Sequence, residues 1–223
     1  GPAYPDSSSC AQALAIAKKY GLRLSEQTWA LLARETPKTL ENVETRITGS
    51  VRELCSAAAA ACKALGYEPL ILTDCLCCEA REAGSMLASI ARTHARDGKN
   101  IAFLMGGETV VHLRGKGLGG RNQEIALSAA LGIGGLSNAL VFSVGSDGTD
   151  GPTDAAGGVA DGETARLLHE RGVDPVQALK DNDAYHALGA VGGLTKTGAT
   201  GTNVNDVSIL LLRAEQREKV RPA

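Results

Sequence analysis

Short apolar runs alternate with longer segments of helical periodicity along most of the chain, from residue 43 onward. The apolar runs predict strands at residues 43–48, 68–74, 100–105, 109–113, 139–144 and 207–212. The segments between them predict helices at residues 51–65, 79–96, 121–131, 162–171 and 182–188. Strands that alternate with helices are typical of an α/β fold with helices on both faces of a sheet. We therefore predict a three-layer α/β architecture around a mixed, largely parallel sheet.

The first forty residues follow a different pattern. Residues 10–20 and 25–34 predict two helices, the first preceded by serines that can cap it and the second stopped before Pro37. No strand precedes them, so we expect this segment to be part of something larger. Most glycines lie after residue 100. We accordingly predict that residues 1–100 end an N-terminal or linking α/β region, that residues 101–214 form a C-terminal domain, and that residues 215–223 form a polar tail.

The most glycine-rich loop lies between a predicted strand and a predicted helix, at residues 114–120. Glycine leaves backbone N–H groups free to turn toward a ligand, and a helix start adds unpaired donors and a positive dipole end. Such a loop favours phosphate or carboxylate. Lys116 and Arg121 add positive charge. We predict a site for a phosphorylated or carboxylated small molecule, built on Lys116, Gly117, Gly119, Gly120 and Arg121.

The same loop also matches Gly-x-Gly-x-x-Gly, the pattern of dinucleotide-binding folds, at residues 115–120. A nicotinamide-dependent reductase is therefore an alternative. Two features count against it: Arg-Asn-Gln-Glu follows the last glycine where helix packing favours small apolar residues, and no lone acidic residue ends the next strand. The chain contains neither a phosphate-binding loop of the P-loop kinases nor the nucleophile elbow of the α/β hydrolases.

Aspartates cluster with glycines directly after the strand predicted at residues 139–144. Asp147, Asp150 and Asp154 can hold Mg²⁺ or accept a proton from a hydroxyl group. The alternative is a turn-rich surface loop, because Asp-Gly is a common turn pair. A calcium loop of the EF-hand type is a third interpretation, but the glutamate it needs at the twelfth position is absent.

Hydroxyl, amide and carboxylate side chains precede the last predicted strand. Thr200, Asn203 and Asp206 suit hydrogen bonds to a small polyhydroxylated or phosphorylated ligand, or they satisfy the loop backbone. Asp183 stands at a predicted helix start, where it contacts the site or caps the helix. Glu108 follows two glycines and either points into the same crevice or belongs to a turn.

Composition excludes some classes of function. The 223 residues carry a net charge of −2 and are 43% hydrophobic, so a core can form and the basic excess of a nucleic-acid-binding domain is absent. The sequence shows neither an apolar run long enough to cross a membrane nor a signal-peptide pattern at its start. We therefore predict a cytoplasmic protein with no nucleic-acid or membrane partner.

Five motifs occur in an order that resembles a known family. They are GGET at residues 106–109, GGRNQE at 119–124, DGTDGPTDAAG at 147–157, NDAY at 182–185 and TGTNVND at 200–206. Together they are similar to the C-terminal, MOFRL-type domain of the class II glycerate kinases, which have often been called hydroxypyruvate reductases. The resemblance implies transfer of the ATP γ-phosphoryl group to D-glycerate, usually at the 2-hydroxyl, with Mg²⁺. It also implies two α/β domains with the active site in the cleft between them.

The resemblance also implies roles for individual residues. Arg121 would stabilise the substrate carboxylate or the transferring phosphoryl group, and Lys116 would hold phosphate with the glycine loop. Asp147 and Asp150 would act in catalysis, with Asp150 and Asp154 as metal ligands. The remaining residues expected to bind substrate or nucleotide are Glu108, Asn122, Asp183, Thr200, Asn203 and Asp206.

Members of the family are about twice as long as this chain. The resemblance therefore implies that the N-terminal half of the same enzyme is its partner and that the chain alone is a fragment. A homodimer and a non-catalytic small-molecule-binding domain stay open as alternatives.

Overall fold

The computed structural model describes residues 4–214, so the predicted polar tail at residues 215–223 lies outside the described residues. The chain divides into two compact units, Gly1–Thr48 and Gly49–Ala223. None of the described helices is long and apolar enough to cross a membrane.

The first unit contains two helices, α1 (Cys10–Lys19) and α2 (Glu26–Leu32), whose N-termini are capped by Ser9 and Ser25. Both helices confirm the prediction. The strand predicted at residues 43–48 is wrong, because this segment forms no strand. Its apolar side chains are exposed, 79% in the case of Ile47, so the apolar pattern there does not mark a buried strand.

The second unit is an α/β sheet structure. Its N-terminal elements are α3 (Val51–Ala64), β1 (Glu68–Leu76), α4 (Ala80–His94), β2 (Ile101–Gly107), α5 (Arg121–Ile133) and β3 (Ala139–Gly145). Its C-terminal elements are β4 (Gly157–Asp161), α6 (Thr164–Glu170), α7 (Pro175–Lys180), α8 (Ala184–Ala190), β5 (Leu194–Thr195) and β6 (Asp206–Leu212). The sequence pattern did not predict the short elements β4, α7 and β5.

The six strands form one mixed sheet in the order β1-β2-β6-β3-β4-β5. The α/β class is confirmed, but the prediction of a largely parallel sheet is wrong. Among the strands that the structure describes, only β1 and β2 pair in parallel, and every other neighbouring pair is antiparallel. β2 and β3 do run in the same direction, as strand–helix alternation requires, but the last strand β6 inserts between them and runs opposite to both.

Helices cover both faces of the sheet. On one face α4 and α5 pack on β2, β3 and β6 through a cluster that includes Leu87, Ile125 and Leu210. On the other face α3 packs through Cys62 against Leu104 and its neighbours. A third cluster joins α5 to β4 and the three short helices. Because β1 pairs with β2, the domain boundary predicted at residue 100 falls between two paired strands of one sheet.

The N-terminus of α5 is capped by an aspartate from a distant loop. The helix begins after Gly120, which has no side chain to cap it. Oδ1 of Asp150 accepts hydrogen bonds from the amide of Asn122 at 3.1 Å and from its side chain at 3.2 Å, and Oδ2 accepts one from the amide of Gln123 at 2.9 Å. A Cβ on Gly120 would collide with the Asp150 carboxyl group. Asp150 thus supplies the cap that α5 itself lacks.

Glu124, one turn into α5, joins this helix to two other segments of the chain. It is 1% exposed, and its Oε1 accepts a hydrogen bond of 2.7 Å from Nδ2 of Asn182. Its Oε2 lies 3.5 Å from Nη2 of Arg81 on α4. Burial raises the pKa of Glu124, and the contacts with Asn182 and Arg81 oppose that rise. The network fixes α5 to α4 and to the segment before α8.

We expect Asp150→Ala to lower the free energy of unfolding by about 2 kcal/mol or more, because two buried amides lose their acceptor. The matched control is Asp174→Ala. Asp174 caps the exposed start of α7 through the amides of Val176 and Gln177, so its loss should cost only about 0.5–1 kcal/mol. Urea unfolding of both variants measures the difference. Equal losses would contradict the special role given to Asp150.

A raised pKa of Glu124 in the folded protein means that folding favours its protonated form. The free energy of unfolding should therefore fall as the pH rises from the ordinary value of 4.5 to the raised value. Glu124→Gln should remove part of this slope, whereas Glu68→Gln on exposed β1 should leave it unchanged. Denaturant unfolding across pH 4 to 8 measures the slopes, and parallel curves for Glu124→Gln and the parent chain would contradict the assignment.

Candidate functional site

Polar segments from three strands meet at one edge of the sheet. β2 and β3 end at this edge and β6 begins there, since Gly107 and Gly145 both pair with Asp206. Residues that directly follow β2 and β3 therefore lie beside the first residue of β6, and α5 begins over the same edge. The predicted site residues brought together here are Glu108, Arg121, Asp147 and Asp206.

Arg121, the first residue of α5, is held by the carboxylate of Asp206. Its Nε donates to Oδ2 at 2.5 Å and its Nη2 donates to Oδ1 at 3.1 Å. Its Nη1 lies 3.4 Å from Oε1 of Glu108. The hydrogen bond to Asp206 raises the pKa of Arg121, and the guanidinium remains charged. The side chain is 31% exposed, so a ligand can reach this fixed cation from solvent.

The aspartate-rich loop and the threonine-rich loop contact each other at the same edge. Oδ1 of Asp147 accepts a hydrogen bond from the amide of Thr149 at 2.9 Å, and its Oδ2 lies 3.4 Å from Nδ2 of Asn203. The amide of Thr200 donates a hydrogen bond of 3.1 Å to the carbonyl oxygen of Asp147. Its hydroxyl donates a hydrogen bond of 2.5 Å to the carbonyl oxygen of Ser146. Thr200 therefore holds the two loops together, whereas Oδ2 of Asp147 has one long hydrogen bond among the described residues.

The glycine loop is bonded to the segment before α8. Four of its amides donate hydrogen bonds to residues 181–183, and the donors are Arg114, Gly115, Gly117 and Leu118. A Cβ on Gly115 would collide with the backbone of Asp181, so glycine permits this close contact. Four of the loop amides are therefore bonded within the protein, and the phosphate cradle stays a prediction for the remaining ones. Lys116 is exposed on this loop, and Gly119 packs against Ala184.

Asn182 and Asp183 are the side chains that receive the glycine loop. Oδ1 of Asn182 accepts from two loop amides at 2.7 and 3.0 Å, and its Nδ2 donates to the carbonyl oxygen of His112 as well as to Glu124. Asp183 accepts from the amide of Leu118 at 2.9 Å and contacts Nδ1 of His186 at 2.6 Å. Asn182 also adopts a positive φ of 56°. The sequence pointed to Asp183 as a site residue, whereas Asn182 stood in the NDAY motif without a predicted role.

Two of the backbone donors predicted at the start of α5 are already occupied. Asn122 and Gln123 give their amides to Asp150, so the anion at this helix N-terminus is the protein's own carboxylate. The Asn122 side chain also accepts a hydrogen bond from Ser143 at 2.5 Å, and Ser143 contacts Ser208 at 2.7 Å. All of these side chains are buried, so Asn122 and Asp150 position α5 instead of lining an open site.

Asp150 and Asp154 do not fit a shared Mg²⁺ site. Both oxygens of Asp150 are used by N–H donors, and the side chain is 2% exposed. Asp154 points elsewhere: Oδ1 accepts from the hydroxyl of Tyr185 at 2.7 Å, and Oδ2 accepts from Nζ of Lys196 at 2.8 Å. The described part of the chain shows no group of three or more His, Cys, Asp or Glu side chains placed to hold a metal ion. These contacts argue against the prediction that Asp150 and Asp154 bind a metal ion together.

A cleft of about 550 Å³ opens beside Arg121. The polar residues that line the cleft are Glu108, Thr109, Arg121, Glu124 and Asn182. The apolar residues that line it are Val110, Val111, Leu113 and Pro152. Gly117, Gly119, Gly120 and Gly151 complete the lining. The strand predicted at residues 109–113 is wrong: only Val110 forms an isolated bridge, with Glu79, and this segment instead forms the cleft rim.

Comparison with known proteins supports the family resemblance that the motifs indicate. The profile of the MOFRL family matches residues 101–206. A D-glycerate 2-kinase of Thermotoga maritima is 50% identical over 95% of this chain, which spans 52% of that relative. A glycerate kinase of Macaca fascicularis is 30% identical, and the match covers 96% of this chain and 67% of the relative.

Solved structures give the same result. The crystal structure of a Thermotoga maritima glycerate kinase superposes with a TM-score of 0.83 at 50% identity, covering 95% of this chain and 52% of that chain. The chain thus spans about half the length of the Thermotoga relative. Sequence identity, coverage and fold all lead to one assignment: the chain belongs to the glycerate kinase family that carries the MOFRL domain.

Proposed function

We propose that this chain forms one wall of the active site of a glycerate kinase that transfers the γ-phosphoryl group of ATP to the 2-hydroxyl of D-glycerate. The observation that carries the proposal is the cation of Arg121, fixed by Asp206 at the sheet edge and open to solvent. Phosphoryl transfer depends on positioning and on neutralising charge more than on covalent chemistry by the protein. A preorganised guanidinium supplies both functions.

In this proposal the Arg121 guanidinium binds the glycerate carboxylate or the transferring phosphoryl group. Asp206 fixes the plane of the guanidinium through two hydrogen bonds, so little side-chain freedom is lost on binding. Glu108 contacts Nη1 at 3.4 Å, and an incoming anion would replace this weak contact. Glu108 is therefore proposed to hold Arg121 in place until the substrate arrives.

Asp147 is proposed to accept the proton of the attacking hydroxyl. The glycerate oxygen forms a bond to the γ-phosphorus as the bond from that phosphorus to the oxygen bridging to the β-phosphate breaks, and the hydroxyl proton passes to the carboxylate. Within the described part of the chain, Oδ2 of Asp147 has one hydrogen bond, of 3.4 Å from Asn203, and it can accept a proton. Asp150 is proposed as a positioning residue, since its oxygens cap α5.

The whole activity requires more than this wall. The chain spans 52% of the Thermotoga relative, so we propose that the opposite wall lies on residues of the other half of the enzyme. Any Mg²⁺ would be held by ATP phosphates and by residues other than Asp150 and Asp154. The geometry of the glycine loop does not favour the reductase alternative, because four of its amides are bonded to residues 181–183 and are unavailable to a pyrophosphate.

Arg121→Lys should lower kcat/KM for D-glycerate about 100-fold or more, because lysine cannot bond Asp206 and an anion with one planar group. The matched control is Arg114→Lys, an exposed arginine on the glycine loop, which should retain parental kinetics. ADP release with D-glycerate and ATP measures the rate, and phosphorus NMR identifies the product, expected to be 2-phosphoglycerate.

Two results would contradict the proposal. One is parental kcat/KM in Arg121→Lys. The other is the lack of D-glycerate-dependent ADP release both from the chain alone and from the chain mixed with the N-terminal half of the Thermotoga relative.

A further inference from the structure

Two asparagines adopt a backbone conformation that residues with a side chain rarely take. Among the described residues, Asn182 and Asn205 are the non-glycine residues with a positive φ, at 56° and 66°. Each directly precedes an aspartate that accepts hydrogen bonds at the candidate site, Asp183 from the glycine loop and Asp206 from Arg121. Non-glycine residues in this left-handed region concentrate at functional sites, where the surrounding structure fixes them. Both asparagines are therefore candidates for a role at the site.

The two asparagines differ in which of their atoms form hydrogen bonds. The Asn182 side chain accepts two and donates two, and these contacts account for asparagine at that position. The hydrogen bonds of Asn205 to other described residues use its backbone. Its amide donates to Oδ1 of Asn203 at 3.2 Å, and its carbonyl oxygen accepts from the amide of Ser146 at 3.0 Å. The feature of Asn205 that requires an explanation is therefore its conformation.

Ser146, directly after β3, holds the chain on both sides of this left-handed position. Its hydroxyl oxygen accepts a hydrogen bond of 2.7 Å from the amide of Val204, and its own amide donates to the carbonyl oxygen of Asn205. Because one residue bonds two consecutive residues of the threonine-rich loop, the chain turns sharply where it enters β6. Asparagine takes the left-handed conformation that such a turn uses more readily than most other residues with a side chain.

The turn at Asn205 determines the direction of the Asp206 side chain. β6 begins at Asp206, and side chains alternate between the two faces of a sheet along a strand. Asp206 and Ser208 therefore share a face, which is the one toward α5. Asp206 bonds Arg121, and Ser208 reaches the same helix through a second serine that bonds Asn122. An extended residue at position 205 would bring the chain into β6 at a different angle and turn the carboxylate away from the guanidinium.

We infer that Asn205 is a positioning residue for the Arg121 guanidinium. Its left-handed backbone orients Asp206, and Asp206 orients the cation. Asp206 is 5% exposed, so its packed carboxylate has little freedom to compensate for a change in the backbone before it. This role rests on the proposed function, because it serves phosphoryl transfer only if Arg121 binds the reacting anion.

Two variants separate the backbone of Asn205 from its side chain. Asn205→Gly and Asn205→Ala both remove the amide group, but glycine adopts a positive φ freely and alanine does not. The Nε–H NMR signal of Arg121 in this chain, assigned with Arg121→Lys, reports the hydrogen bond to Asp206. We expect its exchange with solvent to be unchanged in Asn205→Gly. In Asn205→Ala the exchange should be about tenfold faster, because the strain of one left-handed residue opposes the bonded arrangement.

The matched control is Gly201→Ala. Gly201 lies in the same loop with a φ of 76°, and a Cβ there would meet no described atom within 4 Å. This variant introduces the same kind of backbone strain four residues before Asn205, and it should leave the exchange of the Arg121 signal unchanged. Urea unfolding of every variant establishes that it is folded under the conditions of the NMR measurement.

Equal exchange rates in Asn205→Ala and the parent chain would overturn the inference. Equally fast exchange in Asn205→Gly and Asn205→Ala would also overturn it, because the side chain would then be responsible. Equally fast exchange in Gly201→Ala would do the same, because any strain in the loop would then suffice. The proposed function fails separately: parental kcat/KM in Arg121→Lys would remove the kinase role of Arg121 and leave the effect of Asn205 on the Arg121–Asp206 pair standing.

Discussion

The carboxylate of Asp150 lies against the N-terminus of α5 and satisfies two of its backbone donors. A buried helix start without an acceptor would be costly, and Gly120 cannot provide one from its own side chain. Since Asp150 comes from the loop after β3, the same bonds tie that loop to the helix. The position of Arg121, the first residue of α5, depends on this contact.

The contact between Asp150 and α5 determines where the other site residues lie. Arg121 projects over the sheet edge where β6 begins, and Asp206 receives its guanidinium. Glu124 bonds Asn182, which receives two amides of the glycine loop. Arg121 is the cation that a carboxylate fixes at this edge, whereas Arg114 and Lys116 are exposed on the glycine loop. This arrangement leaves the apolar rim of the cleft exposed.

The sequence predicted those features of the fold that depend on residues close together in the chain. Helical periodicity located α3, α4 and α5, and the alternation of strands with helices predicted that β1, β2 and β3 run in one direction. The insertion of β6 was not readable, because Leu104 and Ile209 pair across a hundred residues. The bonding of the glycine loop and of the start of α5 was not readable for the same reason. The sequence of a glycine loop and a helix start predicts unpaired backbone donors. The residues next to them in the chain do not show that Asp150 and Asn182, which are distant in sequence, accept hydrogen bonds from those donors.

The central claim is that the Arg121 guanidinium, held by Asp206, is the charge that serves the reaction. Chemical rescue tests it most directly. Arg121→Ala leaves a space beside Asp206, and added guanidinium ion at millimolar concentration can enter it. With the chain combined with the N-terminal half of the Thermotoga relative, we expect guanidinium to restore D-glycerate-dependent ADP release in Arg121→Ala at least about tenfold and not to accelerate the parent protein. Substantial activity of Arg121→Ala without guanidinium, or no recovery with it while the variant remains folded, would contradict the account.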